Sequence, residues 1–214
     1  MDGRRSFLTA IPGVAFGAAG LAAAQTANAA GGITTTVAAS NAPQSVQDAA
    51  DFVCNGNADQ VTINAAIDSI SSLGGTVVLS PGDYICTGVI RTRKRVSLVG
   101  SGRSTRLVAN FDGVAVIVSR SGAEDKMEVA HLAIIGQNRQ VGGIFWNITS
   151  SAGFDEDAQD VANRISDVYI SNVRRSGIFL GGTANRSAMV QRVRVLGAGF
   201  YGLQIGCSLS LIHI

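Results

Sequence analysis

Ile165-Ser166-Asp167-Val168-Tyr169-Ile170 returns twenty-five residues later as Val190-Gln191-Arg192-Val193-Arg194-Val195, with apolar residues at the first, fourth and sixth places of both copies. Upstream, Val129, Leu132 and Ile134 hold the same three slots, thirty-six residues before the copy that starts at Ile165. The excess of eleven falls on the polar stretch from Ser150 to Asn163, which reads as a loop inserted into one repeat. Two positions after each copy stands Gly136, Asn172 or Gly197, and Gly100 follows Val96-Ser97-Leu98 in the same way. A left-handed backbone is expected at these four positions, because Gly and Asn tolerate it. A second short strand then follows each copy: Gly143-Ile144-Phe145, Gly177-Ile178-Phe179 and Gly202-Leu203-Gln204.

A repeat of this length, with several short strands and no helix, suits a β-solenoid whose coils hydrogen-bond to neighbours roughly 4.8 Å away. Leucine-rich repeats would show a Leu consensus with an Asn or Cys ladder, and propeller blades would be longer with hairpin signals; neither is present. The expected fold is all-β, a right-handed parallel β-helix, the hand following from the crossover preference of parallel strands. A short capping helix precedes it. Asp59 is expected to cap that helix, whose apolar positions Ile63, Ala66, Ile67, Ile70 and Leu73 recur at intervals of three and four up to Gly74-Gly75. Strands resume at Thr76–Leu79, beyond which Pro81-Gly82-Asp83 marks a turn.

Bulk properties agree with one domain. The chain has 214 residues, 46% hydrophobic, with 26 Gly and only 3 Pro, a mixture that favours β-structure with many tight turns. The net charge is +2, and removing Asp2, Arg4 and Arg5 leaves +1, too little for a nucleic-acid footprint. Residues 1–29 read as a signal peptide: Arg4-Arg5-Ser6-Phe7-Leu8, a mild apolar run from Ile11 to Ala24, and Ala27-Asn28-Ala29 before a cleavage site at Ala30. The paired arginines resemble the twin-arginine export motif, which implies a periplasmic, extracellular or cell-surface protein, and the run is too short for a convincing membrane span. The alternative is an uncleaved anchor. Residues 30–49, polar and rich in Ala, Ser and Thr, read as a linker before a domain over 50–214. Cys54, Cys86 and Cys207 match no zinc or redox spacing; Cys54 and Cys86 form a disulfide or remain buried thiols. The last residues, Cys207 to Ile214, abandon the repeat without a polar or helical cap, so a C-terminally truncated product is expected.

The runs Asp51–Asp59, Ile63–Ile67 and Gly74–Leu79, with Pro81-Gly82-Asp83-Tyr84 and Val96–Gly102, resemble the opening segments of the pectate-lyase-like superfamily. The resemblance covers about residues 50 to 205. It implies a right-handed β-helix acting on or binding an acidic polysaccharide, as a lyase or epimerase. The paired aspartates, Gly-His-Gly and basic triplet of polygalacturonases are absent, which speaks against a hydrolase.

Aligning the repeats sets Arg95, His131, Asp167 and Arg192 in one outward column and Ser97, Ala133, Tyr169 and Arg194 in another. Arginines of such a ladder would pair glycan carboxylates, and Tyr169 would offer a platform to a sugar ring. Any solenoid must also be polar on its outer positions, so a solvated face is the competing reading. The loop residues Asp155, Glu156, Asp157 and Asp160 are hard oxygen donors of the type calcium prefers, though their spacing fits no EF-hand and a solvated acidic loop reads equally well. The resemblance implies calcium bound at a uronate carboxylate and an arginine as the base, which points to Arg174 and Arg175. His131 is a further acid or base candidate near neutral pH. The rival function is non-catalytic: a glycan-binding surface or tail-fibre-like module.

Overall fold

Alternation builds the strands. In Ile144-Phe145-Trp146 and Ile178-Phe179-Leu180 the first and third side chains are buried and the aromatic between them faces out, the period of two that a half-buried strand requires. The computed structural model describes residues 32–119, 126–148, 163–182 and 188–206. Every strand pairing among these residues is parallel.

The chain enters through β1 (Ile33–Ala38), α1 (Gln44–Asp48), β2 (Phe52–Val53) and α2 (Asp59–Ile70). Five coils follow. The first holds β3 (Gly75–Leu79), β4 (Gly82–Cys86) and β5 (Ile90–Thr92); the second holds β6 (Val96–Val99), β7 (Thr105–Ala109) and β8 (Ile117–Ser119). In the third, β9 (Glu128–Ile135) is followed by β10 (Ile144–Asn147), and in the fourth β11 (Asn163–Val173) by β12 (Ile178–Gly181). The fifth holds β13 (Ala188–Gln191), β14 (Arg194–Ala198) and β15 (Leu203–Gly206). These strands make a ten-stranded and a five-stranded parallel sheet. The long strands β9 and β11 serve two rows of the larger sheet: their first halves align with β3, β6 and β13, their second halves with β4, β7 and β14. The five-stranded sheet stacks β5, β8, β10, β12 and β15.

Register bears out the steps read from sequence. Val129 pairs with Ile165 and Ile165 with Val190. Between the halves of β9 and β11 sit His131 (φ 53°) and Asp167 (φ 54°), and Arg192 (φ 49°) occupies the equivalent place between β13 and β14. One left-handed residue turns the chain at each, so the corner is made by side-chain-bearing residues where glycine would be expected. Inside lies one apolar core, from Ile63 and Ile67 of α2 through Leu79, Leu98, Val129 and Ile134 to Ile165 and Ile178. Each such side chain contributes about 1.5–3 kcal/mol on burial.

Several expectations are corrected. Structure begins before residue 50: the stretch read as a linker contains β1, which pairs with β3 on one side and β2 on the other. Its β-branched Thr34, Thr35 and Thr36 suit a strand, but show no apolar period that sequence reading could use. Asp59 does not cap α2. Left-handed Ala58 (φ 54°) occupies the cap, and the buried Asp59 carboxylate accepts from the Gly56 N–H (2.9 Å) and the Ile85 N–H (2.8 Å). The same helix closes the rest of the first coil's free edge. Gln60 accepts from the Thr87 N–H (2.9 Å); Asn64 accepts from the Arg91 N–H (2.8 Å) and donates to the Val89 carbonyl (3.0 Å). Unpaired strand edges invite association, and α2 removes this one. Leu73 lies past the end of α2 and is exposed.

Asn172 (φ 55°) and Gly197 (φ 71°) take the left-handed conformation expected of them, whereas Gly100 and Gly136 do not. Those two are glycines for space: a Cβ would come within 2.5 Å of the His131 carbonyl at Gly100 and 2.4 Å of the Asn172 carbonyl at Gly136. Cys54 and Cys86 form no disulfide. Both are buried free thiols, with the Cys86 thiol 3.6 Å from the Tyr84 carbonyl. Burial, with the Asp59 charge adding to it, pushes the Cys54 thiol up to about 12 and raises Cys86 as well. Residues 1–29 with their leader, the acidic loop with Asp155, Asp157 and Asp160, and the tail from Cys207 lie outside the described residues.

Candidate functional site

Two outer surfaces carry the chemistry-bearing side chains. The first is the outer face of the larger sheet. At its corner His131, Asp167 and Arg192 stack from coil to coil as expected. Arg192 clamps Asp167 with two hydrogen bonds, Nε to Oδ1 at 2.6 Å and a terminal nitrogen to Oδ2 at 2.7 Å, and His131 Nδ1 lies 3.6 Å from Oδ2. The guanidinium, through its hydrogen bonds first and its charge second, holds the Asp167 carboxyl below the usual carboxylate range. Arg95 does not join them. Leu98 pairs with Val129, so Arg95 precedes β6 and sits against Gly74 at the turn below the sheet. The second expected column is corrected in the same way. Ser97 pairs with Glu128, and the place beside Ala133 belongs to Arg106, giving a column Asp83, Arg106, Ala133, Tyr169, Arg194. The repeat was misaligned there because β6 and β7 are separated by a five-residue turn, Gly100–Ser104, where later coils have one corner residue. Arg106 is paired with Asp83. Tyr169 is not an open platform: the Arg103 guanidinium lies 3.9 Å over its ring.

The second surface is the outer face of the five-stranded sheet. Register places Arg91, Val118, Phe145, Phe179 and Gln204 in one column. Phe145 and Phe179 stack with ring centroids 4.5 Å apart and planes within 9°. Room for the second ring comes from Gly181, where a Cβ would meet Phe179 at 2.4 Å. The turns that lead into β12 and β15 flank the rings, bringing Arg175 and Ser176 from one and Phe200 and Tyr201 from the other. Together with Ile144 and Gln204 they line a groove of about 270 Å³. Ser176 Oγ donates to Gln204 Oε1 at 2.7 Å, which holds the amide beside the rings. Phe200 and Tyr201 are exposed, unusual for two adjacent large aromatics.

Of the expected catalytic residues, Arg175 reaches this groove and His131 stands on the other sheet, so the two do not share a site. Arg174 turns back, its Nε donating to the Asn138 carbonyl at 2.8 Å. Among the described residues no three His, Cys, Asp or Glu side chains are placed to hold a metal ion. The groove aromatics were missed although a signal existed, since Phe145 and Phe179 hold the outward position of an alternating strand in successive coils, where a polar residue is the rule.

No protein-family model matches the chain, and no curated protein matches it in sequence. Its fold is shared with solved structures. One is a putative glycosyl hydrolase from Parabacteroides merdae ATCC 43184, with a TM-score of 0.52, 16% identity, and 73% of this chain and 81% of that one covered. Less similar is the A-module of the mannuronan C-5 epimerase AlgE4 from Azotobacter vinelandii, with a TM-score of 0.49 and 19% identity over 72% of this chain and 50% of that one. At these identities the likeness concerns the fold alone. No helix among the described residues is long and apolar enough to cross a membrane.

Proposed function

We propose that the chain is an exported glycan-binding protein of the pectate-lyase-like kind, its coils closed into a right-handed β-helix, which holds an acidic polysaccharide in the groove of the five-stranded sheet. The observation that carries this reading is the face-to-face Phe145–Phe179 pair beside Arg175. A stacked ring pair leaves its ring edges and outermost face as apolar area on which the C–H face of a pyranose packs, and a guanidinium beside it offers paired N–H donors to a uronate carboxylate. Tyr201 and the Gln204 amide supply hydroxyl and amide groups for ring hydroxyls. The solved structure of like fold is named a putative glycosyl hydrolase, a name that speaks of glycosides in general and not of acidic ones.

Arg175 is the one expected catalytic side chain in the groove, and a lyase or epimerase would use it as the base that removes the proton beside the carboxylate. Calcium at Asp155, Asp157 and Asp160 belongs to that catalytic version, in which it would neutralise the uronate carboxylate. Titration against a panel of neutral and uronic-acid oligosaccharides, with product analysis, tests the reading. Saturable binding of uronic-acid oligomers that Arg175→Ala weakens about tenfold is expected. Release of unsaturated uronic-acid ends would add the lyase. Binding to no member of the panel would overturn the proposal. Recovery of the mature protein outside the cytoplasm, beginning at Ala30, is the outcome expected of the leader.

A further inference from the structure

On the larger sheet, the column Asp83, Arg106, Ala133, Tyr169, Arg194 changes character along its length. At one end Asp83 and Arg106 neutralise each other. At the other, Ala133 carries nothing beyond its Cβ, which leaves the Tyr169 ring face open towards the third coil. Arg103, from the turn Gly100–Ser104 that packs against β9 and β11, covers that face with its guanidinium 3.9 Å away. Arg194 stands beside Tyr169 on the next coil, exposed. Neither Arg103 nor Arg194 has a carboxylate partner among the described residues. The neighbouring carboxylate, Asp167, is already held at both oxygens by Arg192.

We infer that Arg103 and Arg194, held on either side of Tyr169, form a second anion-binding surface that takes a carboxylate- or sulfate-bearing glycan chain on the face away from the groove. Stacking on the ring fixes the plane of the Arg103 guanidinium while its N–H edges stay free, so less freedom is lost when an anion binds. Arg194 follows at the spacing set by adjacent coils, roughly 4.8 Å per coil, so the pair suits anions repeated along an extended polymer. A nucleic acid fits less well. Two unpaired cations on a chain of net charge +2 make no backbone track, and Arg103 occupies the ring on which a base would stack. This surface does not depend on the groove, and a polymer engaging both would gain by multivalency.

The test titrates the full chain with a long uronic-acid oligosaccharide and with the corresponding disaccharide, at low and high salt. Replacing both arginines (Arg103→Ala with Arg194→Ala) is expected to weaken the long ligand at least tenfold at low salt and to leave the disaccharide unchanged. A groove variant, Phe179→Ala with Arg175→Ala, should abolish disaccharide binding yet retain salt-sensitive binding of the long ligand. Ala133→Leu, which keeps both charges and crowds Arg103 off the ring, should reproduce part of the arginine effect. Equal affinity of the double arginine variant and the parent for the long ligand would overturn the inference, as would tighter binding of a single-stranded oligonucleotide than of the uronic-acid chain. Failure of the parent chain to bind the disaccharide, with long-ligand binding still weakened by the double arginine replacement, would count against the groove and leave this surface standing.

Discussion

The corner of the larger sheet and the groove of the smaller one are both rows of outward side chains stacked by the same coils, yet their chemistry differs in how far the groups satisfy one another. At the corner, Arg192 and His131 converge on Asp167, and one column over Arg106 is matched by Asp83. In the groove two phenyl rings lie face to face, Arg175 has no acidic partner among the described residues, and two further aromatics stand in solvent. A polar ladder can therefore be a self-neutralised corner, whereas apolar area left beside an unmatched charge marks a surface that a ligand would complete.

The backbone beneath the two regions differs as well, and the largest expected effect exploits that. The groove starts on glycines where neighbouring coils touch: a Cβ at Gly143 would lie 2.4 Å from the Gly177 carbonyl. Gly143→Ala should destabilise by about 2–4 kcal/mol, read in urea unfolding, because backbone on the next coil must move. Arg164→Lys, at an exposed position of the other face, should change stability by under about 0.5 kcal/mol. Next in size, Phe179→Ala removes one ring of the stacked pair. Glycan affinity should fall about tenfold or more in titration calorimetry, with a stability loss of about 1–2 kcal/mol from the lost ring contact. An affinity unchanged by this variant would move the binding site away from the groove.

How much of this was legible depends on how locally each feature is encoded. The 129/165/190 steps were readable because buried residues alternate with outward ones and the corner needs one residue each time. Arg95 and Ser97 were misplaced because the second coil turns that corner with five residues, a difference in length that apolar spacing cannot reveal. The threonines of β1 gave no pattern because that strand owes its place to main-chain pairing with β3. Phe145 and Phe179 were visible as strand residues but not as a pair, since their contact exists only across coils. Charge satisfaction was the least readable property of all: the sequence shows Arg192 and Arg194 as equals, and only the fold gives one of them Asp167.

At the corner, Asp167→Asn tests the self-neutralised half of the contrast. The depressed Asp167 carboxyl contributes stability that is fully present above the unfolded value of about 3.9 and is lost as pH falls through the lower folded value. The pair is partly exposed, so the loss at neutral pH should stay below about 1 kcal/mol. Thermal melting of Asp167→Asn against the parent should differ at pH 7 and converge in strong acid. A constant difference across that range would place the contribution elsewhere.

The smallest effect belongs to the corner residue itself. His131 holds a left-handed backbone at φ 53° with an exposed ring whose closest acidic neighbour is already bound by Arg192. If its role is to turn the chain, His131→Asn should be neutral within about 0.5 kcal/mol, because Asn tolerates the same conformation, whereas His131→Val should cost about 1–2 kcal/mol through its β-branch. Glycan affinity should not respond to either change once folding is intact. A large loss of affinity in His131→Asn with unchanged melting would make the corner part of the binding surface and dissolve the distinction between the two regions.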